Sequence, residues 1–211
     1  MTVISSFRPL DKSPSIARNQ LRAKQSWEGV FDSIMYFNAP DERMASPKTV
    51  FIDSEDFPHM SSLFLAAAMT DDITAIVNAD IVCMPNLRNV IPQEIGRGAG
   101  AMMSFRMEFD PDRPDYVNAK QVDNGLDFFC TVPEIWHMAY KYVSTDYRMA
   151  HGKWDCWMMN FLHVTLSGRF FPDITHHRCI FHPRHEERFQ PYNGEITPID
   201  DAFCIGGYRG V

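Results

Sequence analysis

The chain has 211 residues, 45% of them hydrophobic and 22% charged, a balance that supports one substantial folded domain and excludes a disordered chain. Its formal net charge of -7 disfavours a broad nucleic-acid-binding surface, which needs a basic face. The five cysteines are scattered, odd in number and without a C-x-x-C pair, and no apolar stretch reaches the ~18 residues of a membrane span, so a reducing, cytoplasmic setting is expected.

Val3–Ser6 reads as a short buried strand. Ser13 then precedes Pro14 as N-cap and first helical residue, which predicts a helix to about Trp27. Ser33–Phe37 and Thr49–Ile52 read as two further strands, and Pro58 opens a helix with Met60, Leu63, Phe64 and Ala67 on one face. Ile73–Val77 is the most strand-like run of the chain. A helix after Pro85 carries Leu87, Val90, Ile91 and Ile95 on one stripe. Ala99–Phe105 is again strand-like and leads to a polar, proline-rich loop over Asp110–Asn118.

Leu126–Cys130 is a strand that runs into Thr131-Val-Pro-Glu134, the spacing of a capping box. The helix behind it is expected to bury Ile135, Met138, Ala139 and Tyr142. A last helix, from about Trp154, turns Trp157, Met158 and Phe161 inward. The irregular stretch Glu186–Val211 is expected to be a lid, a dimer arm or a tail within one domain spanning 1–211, so self-association is open to it. Alternating strands and helices at this spacing predict a single α/β domain with a mostly parallel central sheet flanked by helices, its ligands bound beyond the carboxyl ends of the strands.

Ile73–Val77 delivers Asn78 and Asp80 to its carboxyl end, and a separation of two residues puts both side chains on one side of the strand. A carboxylate beside an amide oxygen suits a hard divalent cation, although an Asp here also suits a turn cap. Asp127 lies between Leu126 and Phe128 in an apolar strand, where an unpaired carboxylate is costly. Asp155 falls in the first turn of the last helix, where N–H groups favour an anion, and Trp154 offers an aromatic face to a sugar ring. His176, His177, His182 and His185 crowd into a short segment without the paired spacing of a zinc site. Cys179–Phe181 is an apolar run that would deliver His182 as a strand end delivers a ligand, with Pro183 stopping it. Arg18 and Arg22 read as a solvated basic face, and Asp53-Ser-Glu-Asp56 as a charged loop after the third strand.

Val3–Arg8, Asn78-Ala79-Asp80, Gly125-Leu-Asp-Phe-Phe129 and Gly152-Lys-Trp-Asp-Cys-Trp157 occur in an order that resembles GT-A glycosyltransferases of the nucleotide-diphospho-sugar transferase superfamily, over roughly residues 3 to 185. The resemblance implies transfer of a sugar from a nucleotide-sugar donor to an acceptor it does not name. It implies Mn2+ or Mg2+ at a D-x-D-type motif whose first acid is here Asn78, leaving Asp80 as the main ligand, with His182 or His185 completing the site. It further implies Ser5, Arg8, Asp53, Asn78 and Trp154 at the donor, Asp155 and Asp127 as catalytic acids, and Arg178 or Arg184 at phosphate.

Other motifs fall away. Gly96-Arg-Gly-Ala-Gly100 lacks dinucleotide-binding spacing, and neither G-x-x-x-x-G-K-[ST] nor G-x-S-x-G occurs. The first strand also lacks the glycine-rich loop of sugar nucleotidyltransferases, which favours sugar transfer over nucleotide-sugar synthesis. A binding module that has lost the chemistry and a His-cluster metal hydrolase are the alternatives.

Overall fold

The structure, a computed structural model, describes residues 1–54, 58–144, 147–149, 154–166 and 170–184, with backbone alone at 123 and 124. In chain order the elements are β1 (Thr2–Ser5), α1 (Pro14–Val30), β2 (Ser33–Tyr36), β3 (Thr49–Phe51), α2 (Met60–Met69), β4 (Thr74–Val77), β5 (Val82–Cys83), α3 (Leu87–Gly96), β6 (Ala101–Phe109), β7 (Lys120–Thr131), α4 (Pro133–Tyr142), α5 (Trp154–Thr165) and β8 (Ile180–Pro183). The strands form one sheet in the order β3-β2-β1-β4-β7-β6-β8-β5.

The first four strands are parallel, with α1 crossing from β1 to β2 and α2 from β3 to β4. β7 enters the sheet antiparallel to both β4 and β6, which restores the original direction at β6 and β8. β5 closes the edge antiparallel to β8. The mostly parallel sheet expected from the sequence is thus present, with one inverted strand near its centre.

Side chains alternate across the sheet. Val3, Ala75, Val77, Phe128 and Cys130 face the layer that holds α1 and α3, where Trp27, Val90 and Ile91 pack. Ile4, Ile76 and Phe129 face the opposite layer of α2, α4 and α5, built on Phe64, Trp136, Trp157 and Met158. Phe64 stacks on Trp136 at 5.2 Å, and Trp157 stacks on Phe161 at 5.1 Å. None of the described helices is long and apolar enough to cross a membrane. Cys83, Cys130, Cys156 and Cys179 are free thiols.

Several expectations are corrected. The capping box does not form: Thr131 ends β7, its hydroxyl bonds the Val132 carbonyl, and Val132 is the N-cap ahead of Pro133. Proline at the first helical position already removes one of the N–H groups a cap would serve. In α4 the buried residues are Ile135, Trp136 and Ala139, while Tyr142 is exposed, because the Trp136 indole donates to the Thr74 carbonyl at 3.0 Å and turns that side of the helix inward. Helix α1 runs on to Val30, and Ser13 is its N-cap, but the Ser13 hydroxyl faces Ser15 rather than a backbone N–H. Strands β6 and β7 both extend well beyond their apolar cores, and the two-residue β5 is unforeseen.

Candidate functional site

The site is built at the carboxyl edge of β4. Beyond Val77 the chain makes a tight turn in which the Ile81 N–H bonds the Asn78 carbonyl at 3.2 Å. The turn is pinned from below, because the buried Trp27 indole donates to the Ile81 carbonyl at 2.7 Å. Two residues past Asp80, Val82 pairs with Phe181, so the short β5–β8 ladder brings Asp80 against His182. Asp80 Oδ2 lies 3.4 Å from His182 Nε2.

Asp127 reaches the same place by an irregularity. Ser104 pairs with Phe128 and Phe105 with Leu126, leaving Asp127 as an extra residue in β7. Such a bulge re-aims a side chain and shifts the alternation, which is why Leu126 joins the same layer as Phe129. The Asp127 carboxylate accepts from Asn78 Nδ2 at 2.5 Å and from Arg106 Nη1 at 3.0 Å. Arg106 also pairs with Glu108 at 3.2 Å, and Glu108 lies 3.9 Å from the exposed Arg184.

Asp155 opens α5 and is partly buried. Burial first, and then the charge of Asp127, push its carboxyl up to about 6, against opposing hydrogen bonds from its own and the Cys156 N–H groups. His182 is 5% exposed. Burial lowers its pKa, but Asp80 and then Asp127 outweigh that, and the net direction is upward. Asp80, Asn78, Asp127, Asp155, His182 and Arg106 therefore form one electrostatic unit drawn from the β4 edge, β6, β7, β8 and α5.

Of the residues expected at the site, the structure brings together Asn78, Asp80, Asp127, Asp155 and His182. Arg8 and Asp53 lie exposed at the same sheet edge, after β1 and β3, and take no part in the cluster's hydrogen bonds. Ser5 is a correction: it is fully buried, and its hydroxyl donates to the Val77 carbonyl at 2.7 Å, tying β1 to β4. Trp154 is another, a core ring 3% exposed and set edge-on against Phe129 rather than an open face for a sugar. Arg178 is spent on the carbonyls of Tyr116, Val117 and Ala119, at 2.8 to 3.1 Å, and braces the polar loop. Arg106 is the residue that the sequence reading missed. Its signal is Gly125, an isolated glycine inside a strand, which marks close approach of another group.

The histidines do not converge. His176 and His177 lie with ring centroids 4.0 Å apart and tilted by 38°, and His177 faces Glu94, while His182 faces Asp80; His185 lies outside the described residues. Among the described residues no three His, Cys, Asp or Glu side chains form a set suited to an ion. Asp80 and His182 nevertheless suit a cation held by two protein ligands. Adjacent ligands of a six-coordinate ion, each about 2.1 Å from it, stand about 3.0 Å apart. A spacing of 3.4 Å is close to that, and such ions commonly take their remaining ligands from phosphate and water.

Neither a protein-family model nor a curated protein matches the sequence. Solved structures do match. A protein assigned as a glucose-1-phosphate thymidylyltransferase of Bacillus anthracis, solved with sucrose, is 10% identical over 82% of this chain and 86% of that one, with a TM-score of 0.45. HddC of Yersinia pseudotuberculosis is 12% identical over 82% and 89%, with a TM-score of 0.44. The 4-diphosphocytidyl-2C-methyl-D-erythritol synthase of Anaerococcus prevotii is 10% identical over 82% and 87%, with a TM-score of 0.50. At such identities the likeness is one of architecture. The chain shares the α/β architecture of that Anaerococcus prevotii synthase, with its charged cluster at the carboxyl edge of the sheet.

Proposed function

We propose that this protein transfers a sugar from a nucleotide-sugar donor to an acceptor hydroxyl, with a divalent cation, Mn2+ or Mg2+, held by Asp80 and His182. The observation that carries the reading is the convergence of Asn78, Asp80, Asp127, Asp155 and His182 from separate parts of the chain onto one sheet edge. When bound, the ion would supply charge to neutralise the departing diphosphate. Arg184, whose side chain is 63% exposed beside Glu108, is among the described residues a cation available to add to that charge.

The two remaining acids divide the work. Asp127 has both oxygens committed to Arg106 and Asn78, so it is fixed as a source of charge rather than a proton carrier. Asp155, with its pKa pushed up to about 6, suits a general base near neutral pH. In the proposed step the acceptor oxygen bonds to the anomeric carbon, the bond from that carbon to the diphosphate oxygen breaks, and the hydroxyl proton passes to Asp155.

Nucleotidyl transfer is the second reading, because a solved structure of similar architecture is by name the synthase of a diphosphocytidyl compound. One feature of this chain argues against it. The loop after β1 has no glycine, and two of its N–H groups are already bonded by side-chain amides: Phe7 to Asn38 Oδ1 at 2.6 Å and Arg8 to Gln20 Oε1 at 2.7 Å. Those N–H groups are not available to cradle phosphates.

A thermal-shift panel of nucleoside diphosphates and nucleotide-sugars, with and without Mn2+, tests the proposal. A ligand at about 100 times its Kd stabilises the fold by about 2.7 kcal/mol. Asp80→Asn is expected to abolish the Mn2+-dependent part in a variant that still folds, with some loss of unliganded melting temperature because Asp80 is partly buried against His182. Unchanged Mn2+-dependent binding in that variant would remove the cation site. Release of pyrophosphate from a nucleoside triphosphate and a sugar phosphate, with no turnover of nucleotide-sugars, would favour the second reading.

A further inference from the structure

Arg106 lies between two acids on a strand edge, and the way it is seated sets it apart from an ordinary ion pair. Its side chain runs flat over Gly125 of β7. A Cβ built at Gly125 would come within 2.6 Å of Arg106 Nε, 2.8 Å of Cδ and 2.9 Å of Cγ. Three successive atoms of the side chain occupy the volume that any other residue would fill. The ladder makes room for this. Between the pairs Phe105–Leu126 and Met107–Gln121, β6 has only Arg106 while β7 has residues 122 to 125. Sheet irregularities of this kind commonly adjoin functional sites, where they aim a side chain.

The Arg106 side chain is 13% exposed and its guanidinium donates to Asp127 Oδ2, while the other oxygen of Asp127 accepts from Asn78 Nδ2. A carboxylate bonded in this way accepts only, so the Asn78 amide must present nitrogen to it. Its carbonyl oxygen is thereby turned away from Asp127. Asn78 Oδ1 is buried and has no hydrogen-bond partner among the described residues. An orphaned acceptor of this kind costs stability unless something meets it.

We propose that Arg106, seated on Gly125, is a positioning residue: through Asp127 it orients the Asn78 amide so that its carbonyl oxygen accepts a hydroxyl proton of the bound donor. The inference rests on the sugar-transfer reading for the identity of that hydroxyl, but the orientation itself is a property of the unliganded protein. The chemistry is specific. An Asn held the other way would offer N–H to a phosphate oxygen, whereas this one rejects an anion and accepts from a hydroxyl group. The acid-to-amide change in the Asn78-Ala79-Asp80 motif then has a use, because a second carboxylate at position 78 would face Asp127 at the 2.5 Å now spanned by a hydrogen bond.

Two arms test this on the full chain. The first is the side-chain amide signal of Asn78 in a two-dimensional NMR spectrum of unliganded protein, assigned by its loss in Asn78→Ala. In the wild type one of its protons is expected to be shifted downfield and protected from exchange. Arg106→Gln and Gly125→Ala should both remove that signature, and Arg106→Lys should restore part of it. Persistence of the signature in folded Arg106→Gln or Gly125→Ala overturns the positioning role. If Arg106→Gln does not fold, Gly125→Ala and Arg106→Lys decide.

The second arm is titration of Mn2+ alone. Loss of a cation ligand or of its direct support costs about tenfold or more in metal affinity. Arg106→Gln is expected to bind Mn2+ about as tightly as the wild type by that measure, since Asn78 Oδ1 serves a hydroxyl group. A loss of about tenfold or more would make it a cation ligand and overturn the hydroxyl assignment. A wild type that binds no Mn2+ would refute the cation site and leave the first arm to decide the orientation of Asn78.

Discussion

Asp155 is held in an environment that disfavours its charge, and the sign of the consequence can be worked out. Its folded pKa, about 6, lies above the ordinary 3.8. Below about pH 3 the group is protonated in folded and unfolded chains alike and costs nothing. As pH rises toward 6 the unfolded chain ionises first, so stability falls, and beyond that the loss stays constant at about 2–3 kcal/mol. Asp155→Asn is therefore expected to unfold at higher denaturant than the wild type at pH 7.5 and at the same denaturant at pH 3. An equal midpoint at both pH values would mean that the carboxyl is not strained. Turnover should move oppositely, slowing by about 10²- to 10⁴-fold with the loss of a general base. A variant that is more stable and less active would separate the catalytic acid from a mere helix-start acid. For His182 the expected outcome of substitution by alanine is weaker Mn2+ binding in calorimetry; unchanged affinity would leave Asp80 without this partner.

At the scale of elements, the loop after β1 and the helix α4 show how much the fold depends on buried polar side chains. Gln20, 2% exposed, both accepts from the Arg8 N–H and donates to its carbonyl, so Gln20→Ala leaves two backbone groups to find new partners. That substitution should cost about 1–3 kcal/mol in chemical denaturation. Trp136→Ala, which empties the space beside Phe64 and frees the Thr74 carbonyl, should cost about 3–5 kcal/mol. A loss under about 1 kcal/mol would show that the α2–α4 layer collapses to fill the gap. The parallel half of the sheet is legible in the sequence because β1 to β4 read as short strand-like runs, with helices predicted between β1 and β2 and between β3 and β4. The direction of β7 is not legible, since an apolar run looks the same read either way and only the neighbours on both sides fix it. Nor is the bulge at Asp127, which arises from pairing with β6. Asn78, Asp80, Asp155 and His182 could be picked out because each follows or opens a recognisable element. Ser5 and Trp154 misled because small hydroxyls and indoles at strand and helix ends serve packing as readily as ligands.

Seen as a whole, the molecule keeps its site at a place that the chain reaches late. Asp80 leads into β5, yet β5 has only two residues and its ladder partner is β8, roughly a hundred positions further on. Until β8 slides between β6 and β5, His182 is absent from the cluster and Asp80 has no strand to hold its turn against the sheet. Joining such distant segments carries a loop-closure cost that local crossovers do not, so contacts of this kind are expected to form slowly. Refolding should therefore show two clocks. Burial of Trp27 and Trp136 should follow the main fluorescence phase, and the capacity to bind Mn2+ should appear only afterwards, in stopped-flow mixing with the ion. Simultaneous appearance of both would contradict this order. If the order holds, partly folded chains would not take up the ion, and bound ligand would act as a latch on the final strand: slowing unfolding of β8 above all, and readable as exchange protection at Ile180 to His182.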